Sequence, residues 1–225
     1  MIQIAEHLFS PAEIGVIDRV EHDATGSVRR VTCCGLTRPA WLAASPASRL
    51  DALAATLLAA PDPVPLSLRP GRRLWVRPRR VVRESRLEGA AFRLEFDAVD
   101  PREEDITPSG MDWPVSAWGE TTVVDVPGTA SAPFSFRLTA RGAVGAPSLG
   151  DGVRTIHWMG AMEAGDVLEL DGNARTARLN GAPADTLLAG DWPLAGPGHT
   201  SLRFEDDLDG DHLADIHVTW RNRWW

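Results

Sequence analysis

The chain has 225 residues, 44% of them hydrophobic, with 23 basic residues, 31 acidic residues and a formal net charge of −8. That balance argues against a protein that grips nucleic acid through its overall field, because neutralising phosphate requires cations. Its two cysteines, Cys33 and Cys34, are neighbours, and a ring closed between them is strained, so two reduced thiols are expected rather than a disulfide scaffold.

Every basic residue is arginine; lysine and tyrosine are absent, and there are nine tryptophans. This bias reads first as a GC-rich coding sequence. The charge is unevenly spread: residues 1–112 hold 15 Arg against 16 acidic side chains, and residues 113–225 hold 8 against 15. The N-terminus has Glu6 and no basic run, so no signal peptide is expected. The longest apolar stretch, Leu50 to Ala60, contains Asp51 and is too short to span a bilayer. A soluble product of the cytoplasm follows as the expectation, with no membrane partner.

In chain order, residues 28–36 and 64–68 read as short strands, and one helix lies between them. Ser45 suits an N-cap and Pro46 the first helical position, where no N–H donor is needed. Leu50, Leu53, Ala54, Leu57 and Leu58 recur at helical spacing as one apolar stripe, and Pro61 and Pro63 end it. A hairpin pattern follows Pro70-Gly71, through Leu74-Trp75-Val76 and Val81-Val82 to Leu87-Glu88-Gly89. Phe92, Leu94 and Phe96 then alternate with Arg93, Glu95 and Asp97, the period of a half-buried strand.

Residues 101–114 are polar and carry Pro and Gly, and the domain boundary is placed there, giving domains of 1–112 and 113–225. Beyond it strands are predicted at 120–126, 133–140, 153–158, 166–170, 174–179, 200–204 and 214–220, the spacing of a β-sandwich. Asp171-Gly172-Asn173 and Asn180-Gly181 sit where tight turns need positive φ. Trp220 should share the core with Ile216 and Val218. The terminal pair Trp224 and Trp225 should lie against a domain or subunit boundary, because untied termini fray.

Three clusters stand out as candidate sites. Arg69, Arg72, Arg73, Arg77, Arg79, Arg80, Arg83 and Arg86 surround Trp75 on the hairpin. Subunit contact is the leading reading, since arginine pairs bidentately with carboxylates across interfaces; a solvated face and a nucleic-acid strip come next. The acidic run from Glu205 to His212 resembles a calcium loop, but its twelfth place is Ile216 instead of a bidentate Glu. A solvated connection is preferred, with calcium as the ion if a cation binds at all. The tryptophans of the second half, Trp113, Trp118, Trp158, Trp192, Trp220, Trp224 and Trp225, serve either packing or sugar stacking, and packing is preferred. Ser148 has a turn composition without a partner base. No HExxH, nucleophile elbow, phosphate loop or dinucleotide fingerprint is present, so no catalytic residue, metal ligand or cofactor is assigned.

Several runs together resemble one family. They are VLELD at 167–171, ARLNG at 177–181, LLAGDWPLAGPGHTSLRF at 187–204 and ADIHVTWRNRWW at 214–225, with looser matches in GRRLWV at 71–76, GAAFRLEF at 89–96 and VDP at 99–101. They are similar to the distal tail proteins of siphovirus-type phage tails. The resemblance implies an N-terminal β-barrel-like belt domain with one helix, whose copies close into a ring, typically a hexamer. It also implies a C-terminal galectin-like β-sandwich at the periphery. Such a ring joins the tail tube to the tail-tip hub in the virion, and DNA passes through its lumen without specific binding. In that setting Arg72, Arg73, Trp75, Arg77, Arg79, Arg80, Trp224 and Trp225 are the candidate subunit-interface residues. The alternative from another class is a free-standing carbohydrate-binding module for host-surface attachment; an enzyme ranks behind both.

Overall fold

The computed structural model describes residues 1–10, 12–23, 26–37, 46–86, 89–208 and 212–225; the side chains at 23, 36–37, 46–50, 83, 85–86 and 89–90 are not among those described. The chain divides into two compact units, Met1–Ile106 together with Trp225, and Thr107–Trp224. Both are mainly β, and the described residues include one α-helix.

The first unit carries β1 (Ile2–Ile4), β2 (His7–Phe9), β3 (Ile14–Asp23), β4 (Gly26–Thr37), α1 (Pro46–Ala59), β5 (Val64–Ser67), β6 (Arg72–Arg86), β7 (Gly89–Ala98) and β8 (Glu103–Asp105). Its sheet runs β2-β1-β5-β6-β7-β4-β3, antiparallel throughout, and β8 pairs with the start of β6. One face is apolar because inward positions alternate along each strand. Val31 and Cys33 on β4, Leu94 and Phe96 on β7 and Leu74 and Val76 on β6 are buried there with Leu53 and Leu57 of α1. The helical stripe is narrower than its spacing predicts: Leu57 is buried, yet Leu58, a further 100° round the helix, is 76% exposed. Ser45 lies outside the described residues, as does the Leu50 side chain.

At Pro78 the register of β6 against β7 slips by one residue, so that Pro78 faces Phe96 and Arg80 faces Glu95 with Arg79 between them. The bulge moves the inward positions from Leu74 and Val76 to Val81. Val76 pairs with both Val64 and Ala98, so β5 and β7 flank β6 on opposite sides. Past Val76, no strand among the described residues pairs with the β5 side of β6.

The second unit is a sandwich of two antiparallel sheets. The six-stranded sheet runs Ala182–Pro183, Thr176–Leu179, Val167–Asp171, Ser135–Ala140, Ala214–Trp220 and Ser109–Val115. The five-stranded sheet runs Thr121–Val126, Gly198–Glu205, Ser148–Gly150, Thr155–Trp158 and Leu188–Gly190. Between them lies one core of Phe134, Phe136, Leu138, Trp158, Leu168, Leu202, Phe204, Ile216 and Val218, with Trp220 on the expected alternation. Residues 109–114 were read from composition as part of a polar connection; they form an edge strand paired along its whole length with Ala214–Trp220.

Asn180 and Gly181 both adopt positive φ (51° and 80°) in the tight hairpin between Thr176–Leu179 and Ala182–Pro183. The reading of Gly172 needs correction, because Gly172 is not among the positive-φ positions and Arg175 (φ 56°) takes that role in its turn. Gly172 is needed for space instead. A Cβ there would lie 2.0 Å from the Phe134 carbonyl oxygen and 2.5 Å from Trp192 Nε1, in the path of the 2.6 Å hydrogen bond that Trp192 donates to that oxygen.

Asp151 ties the second sandwich sheet to the segment after Trp192. Its carboxylate accepts backbone N–H groups from Val153 (2.9 Å), Arg154 (2.7 Å) and Leu194 (2.9 Å). Burial pushes its pKa up, but the N–H donors of Leu194, Arg154 and Val153, with the Arg154 side chain, outweigh burial and hold it below the usual carboxylate range. The linkage sign follows: this stabilisation is present above the unfolded pKa of about 4 and is lost as pH falls through the lower folded value. Asp151→Asn should therefore lower the neutral-pH melting temperature and flatten its decline between about pH 5 and 3. Melting curves across that range, parallel for wild type and variant, would rule out this role.

Candidate subunit interface

The arginines of β6 divide into an inward group and an outward group. Arg73 donates from Nε to Glu104 Oε1 (2.9 Å), and Trp75 Nε1 donates to the same oxygen (2.9 Å), while the Arg73 guanidinium lies over the Trp75 ring at 4.6 Å. Arg73 and Trp75 are thus engaged within their own unit, on β8. Arg72 is half-buried beside them, its backbone in register with Asp105. Arg77, Arg79 and Arg80 are exposed on the stretch of β6 that includes the bulge. The Arg83 and Arg86 side chains lie outside the described ones.

Ion pairs lace the outward face of this sheet. Arg79 reaches Asp97 at 4.0 Å, Arg30 reaches Asp97 at 3.5 Å and Glu21 at 3.1 Å, and Arg93 pairs with Glu95 at 3.0 Å. These exposed pairs contribute little stability each, but they neutralise the arginines. The strongest charge cluster is buried. Arg29, 3% exposed, donates to both Asp18 oxygens (2.8 and 2.5 Å), to Glu103 (2.8 Å) and to the Pro101 carbonyl (3.0 Å). Arg69 reaches the other Glu103 oxygen at 3.3 Å. Burial alone would lower the Arg29 pKa; its hydrogen bonds to Asp18 and Glu103 outweigh that and hold it above its ordinary value. Sequence reading missed this network, because Asp18, Arg29 and Glu103 are far apart in the chain and no local pattern joins them.

Trp224 is half-buried and closes the second unit, whereas Trp225 groups with the first. Trp225 remains 57% exposed, with the Arg102 guanidinium 5.9 Å and the His22 ring 6.4 Å from its own ring. Trp113, Trp158, Trp192 and Trp220 are core residues, as packing requires, and Trp118 stays exposed.

Burial pushes the Cys33 thiol up to about 12, so it holds almost no thiolate at neutral pH. Among the described residues no three His, Cys, Asp or Glu side chains converge on a metal position. The acidic connection is less solvated than its composition suggests: Asp206 is buried and pairs with His212, while Asp209, Gly210 and Asp211 lie outside the described residues. A groove of about 720 Å³ on the outer face of the six-stranded sheet is bridged by the Arg137–Glu169 ion pair at 2.5 Å.

Comparison with known proteins gives a family match and a structural match. Residues 127–224 match the model of the siphovirus-type tail component, C-terminal domain, typified by the Dit protein of SPP1. Over these residues the chain is similar to the siphovirus-type tail component family. The crystal structure of the SPP1 Dit (gp 19.1) protein superposes with a TM-score of 0.66 at 15% identity, covering 100% of this chain and 92% of that one. That protein is described as a paradigm of the hub adsorption apparatus in phages infecting Gram-positive hosts. At this identity the likeness establishes a shared fold over the whole chain, including the first unit that the family match leaves uncovered. No match was found among curated proteins. The chain is mainly β, and no helix among its described residues is long and apolar enough to cross a membrane.

Proposed function

We propose that this protein is a tail component, a distal tail protein of the virion: its copies, typically six, close into a ring that joins the tail tube to the tail-tip hub and leaves a channel for DNA. It performs no catalysis in this role. The observation that carries the reading is the tail-component match over residues 127–224, and the whole-length Dit-like fold supports it.

Ring closure requires head-to-tail contacts between different surfaces on opposite flanks of each copy. The first unit offers two. One is β3, the last strand of the sheet path, which carries Ile17 at 52% exposure beside Arg19 and Glu21. The other is the stretch of β6 past Val76, with Arg77, Arg79 and Arg80. A β3 edge laid on that stretch would add backbone hydrogen bonds and bring carboxylates to arginines. The β6 arginines belong to that contact and not mainly to the pore; Arg30 and Arg93, already matched to Asp97 and Glu95, have little field left to retard passing phosphates and suit a channel wall.

Native mass spectrometry tests the proposal directly. The wild type should give a closed ring of about six chains, and Arg79→Glu with Arg80→Glu should shift the population to monomer by an order of magnitude or more at equal concentration. A wild type that stays monomeric at all concentrations, alone and with tube protein, would overturn the ring. A double variant that assembles normally would remove β6 from the contact.

A further inference from the structure

We propose that the strand Thr121–Val126, an edge of the five-stranded sheet, pairs antiparallel with the same strand of a second copy, Val123 opposite Val123. It is the last strand of its sheet, bonded on one side to Gly198–Glu205. One hydrogen bond fixes the direction of its backbone groups. The Phe204 N–H donates to the Glu120 carbonyl at 3.0 Å, and these two residues continue the register that sets Thr121 opposite Arg203. In an antiparallel ladder such bonded pairs recur at every second residue. Thr122, Val124 and Val126 therefore turn their N–H and C=O groups to Gly198–Glu205, and Thr121, Val123 and Asp125 turn theirs outward.

The other edges of the second unit are blunted. Ala182–Pro183 has two residues, one of them a proline without an N–H. Leu188–Gly190 has three and ends on Gly190 at φ 91°. Ser109–Val115 carries Pro114. Thr121–Val126 runs for six residues with no proline, glycine or basic side chain, and its Val123 is 61% exposed. An edge this regular is a template for another strand.

The sequence of the edge selects its occupant. With Val123 opposite Val123, Thr121 of each copy faces Asp125 of the other. The outward-directed residues then meet only one another and exchange both N–H···O bonds in every pair, so no backbone group among them is left over. Sliding the register by two residues would set one of them opposite Gly119 or Pro127, outside the strand. The side chains match in the same register. The two Val123 side chains meet in the middle of the exposed face, and at each end a Thr121 hydroxyl can donate to an Asp125 carboxylate. Asp125 is placed to accept, being 76% exposed with His199 3.8 Å away. No carboxylate faces its own copy. A foreign strand must match this pattern, whereas a second copy carries it by construction, as a two-fold contact requires. The contact is small: a stable interface buries about 800 Å² on each side, and one strand pair falls short of that, so pairing should depend on concentration. It uses the second unit alone and shares no residue with the ring contact proposed above.

The test is disulfide trapping of full-length Val123→Cys, with sedimentation velocity across a range of concentrations. Bonded antiparallel pairs hold their Cα atoms about 5.5 Å apart, within disulfide reach. Mild oxidation should therefore give a covalent dimer, and peptide mapping should place the link between the two introduced cysteines and not at Cys33 or Cys34. Val123→Asp sets two carboxylates against each other and should weaken pairing by about tenfold or more, while Val123→Thr keeps it; melting temperatures should stay unchanged because the side chain is exposed. Three results would overturn the inference: no link at position 123, Val123→Asp associating like the wild type, or the strand occupied by a segment of another protein while copies remain unpaired. The two proposed contacts are separable. Arg79→Glu with Arg80→Glu should leave the pair intact, and Val123→Asp should leave the ring intact. Rings without a link at position 123 sink the pairing alone, and a linked dimer without rings sinks the ring alone.

Discussion

Arg29→Ala should destabilise the first unit by about 3–5 kcal/mol, the usual cost of removing one partner from a buried ion pair. The loss of attraction is the smaller part. Glu103, 2% exposed, would keep one distant partner in Arg69 at 3.3 Å, and Asp18 would lose both its hydrogen bonds from Arg29. The Pro101 carbonyl would lose its donor as well. A carboxylate left in that position must either recruit water or take up a proton, and both cost free energy. The measurement is the urea midpoint followed by a probe in the first unit. Replacing Arg29, Asp18 and Glu103 together by apolar side chains of similar size should recover much of the loss. An Arg29→Ala midpoint within error of wild type would show that the network contributes nothing net.

Gly172→Ala should cost the second unit about 2–4 kcal/mol, combining overpacking with a buried indole N–H left without its acceptor. The added methyl cannot coexist with the Trp192–Phe134 hydrogen bond, because it would stand 2.0 Å from the acceptor and 2.5 Å from the donor. Gly196→Ala is the matched control. Its Cβ would meet only Thr200 Oγ1 at 3.8 Å, in ordinary contact, and its φ is not positive, so stability should change by less than about 1 kcal/mol. Thermal melts of both variants, with near-ultraviolet circular dichroism to follow Trp192, decide the matter. Equal melting temperatures for the two would refute the close-approach account of Gly172.

The contrast between Gly172 and Asn180-Gly181 shows what sequence could and could not supply. Asn-Gly between two alternating runs has a local cause, positive φ at both turn positions, and its hairpin was readable. The space requirement at Gly172 comes from Phe134 and Trp192, residues distant in sequence, and nothing adjacent encodes it. The same division runs through the first unit. The alternation of Phe92, Leu94 and Phe96 and the Pro-bounded helix at Pro46–Ala59 were legible because their burial follows a simple period. The first 23 residues were not, because on β3 Ile17 and Val20, which point to opposite faces of the strand, are both exposed apolar side chains and blur the period. The arginine cluster was visible as composition, but no count of arginines distinguishes Arg73, turned to Glu104, from Arg79 and Arg80 in water. Trp118 was one tryptophan among many until burial separated it from the rest.

The bulge at Pro78 and Arg79 bears on how this protein survives before it is built into anything. A long strand with an unpaired side invites any extended peptide to zip along it, the route by which β proteins clump. Here a passing strand finds no N–H at Pro78, then a one-residue step that throws its own pleat out of phase, then a row of guanidinium groups that few random sequences would match. A neighbouring copy shaped to all three would pair there, as the proposed ring requires, and a stray chain would not. In the proposed ring the kink would act as a lock on the open side of β6, turning away stray strands until the neighbouring copy arrives.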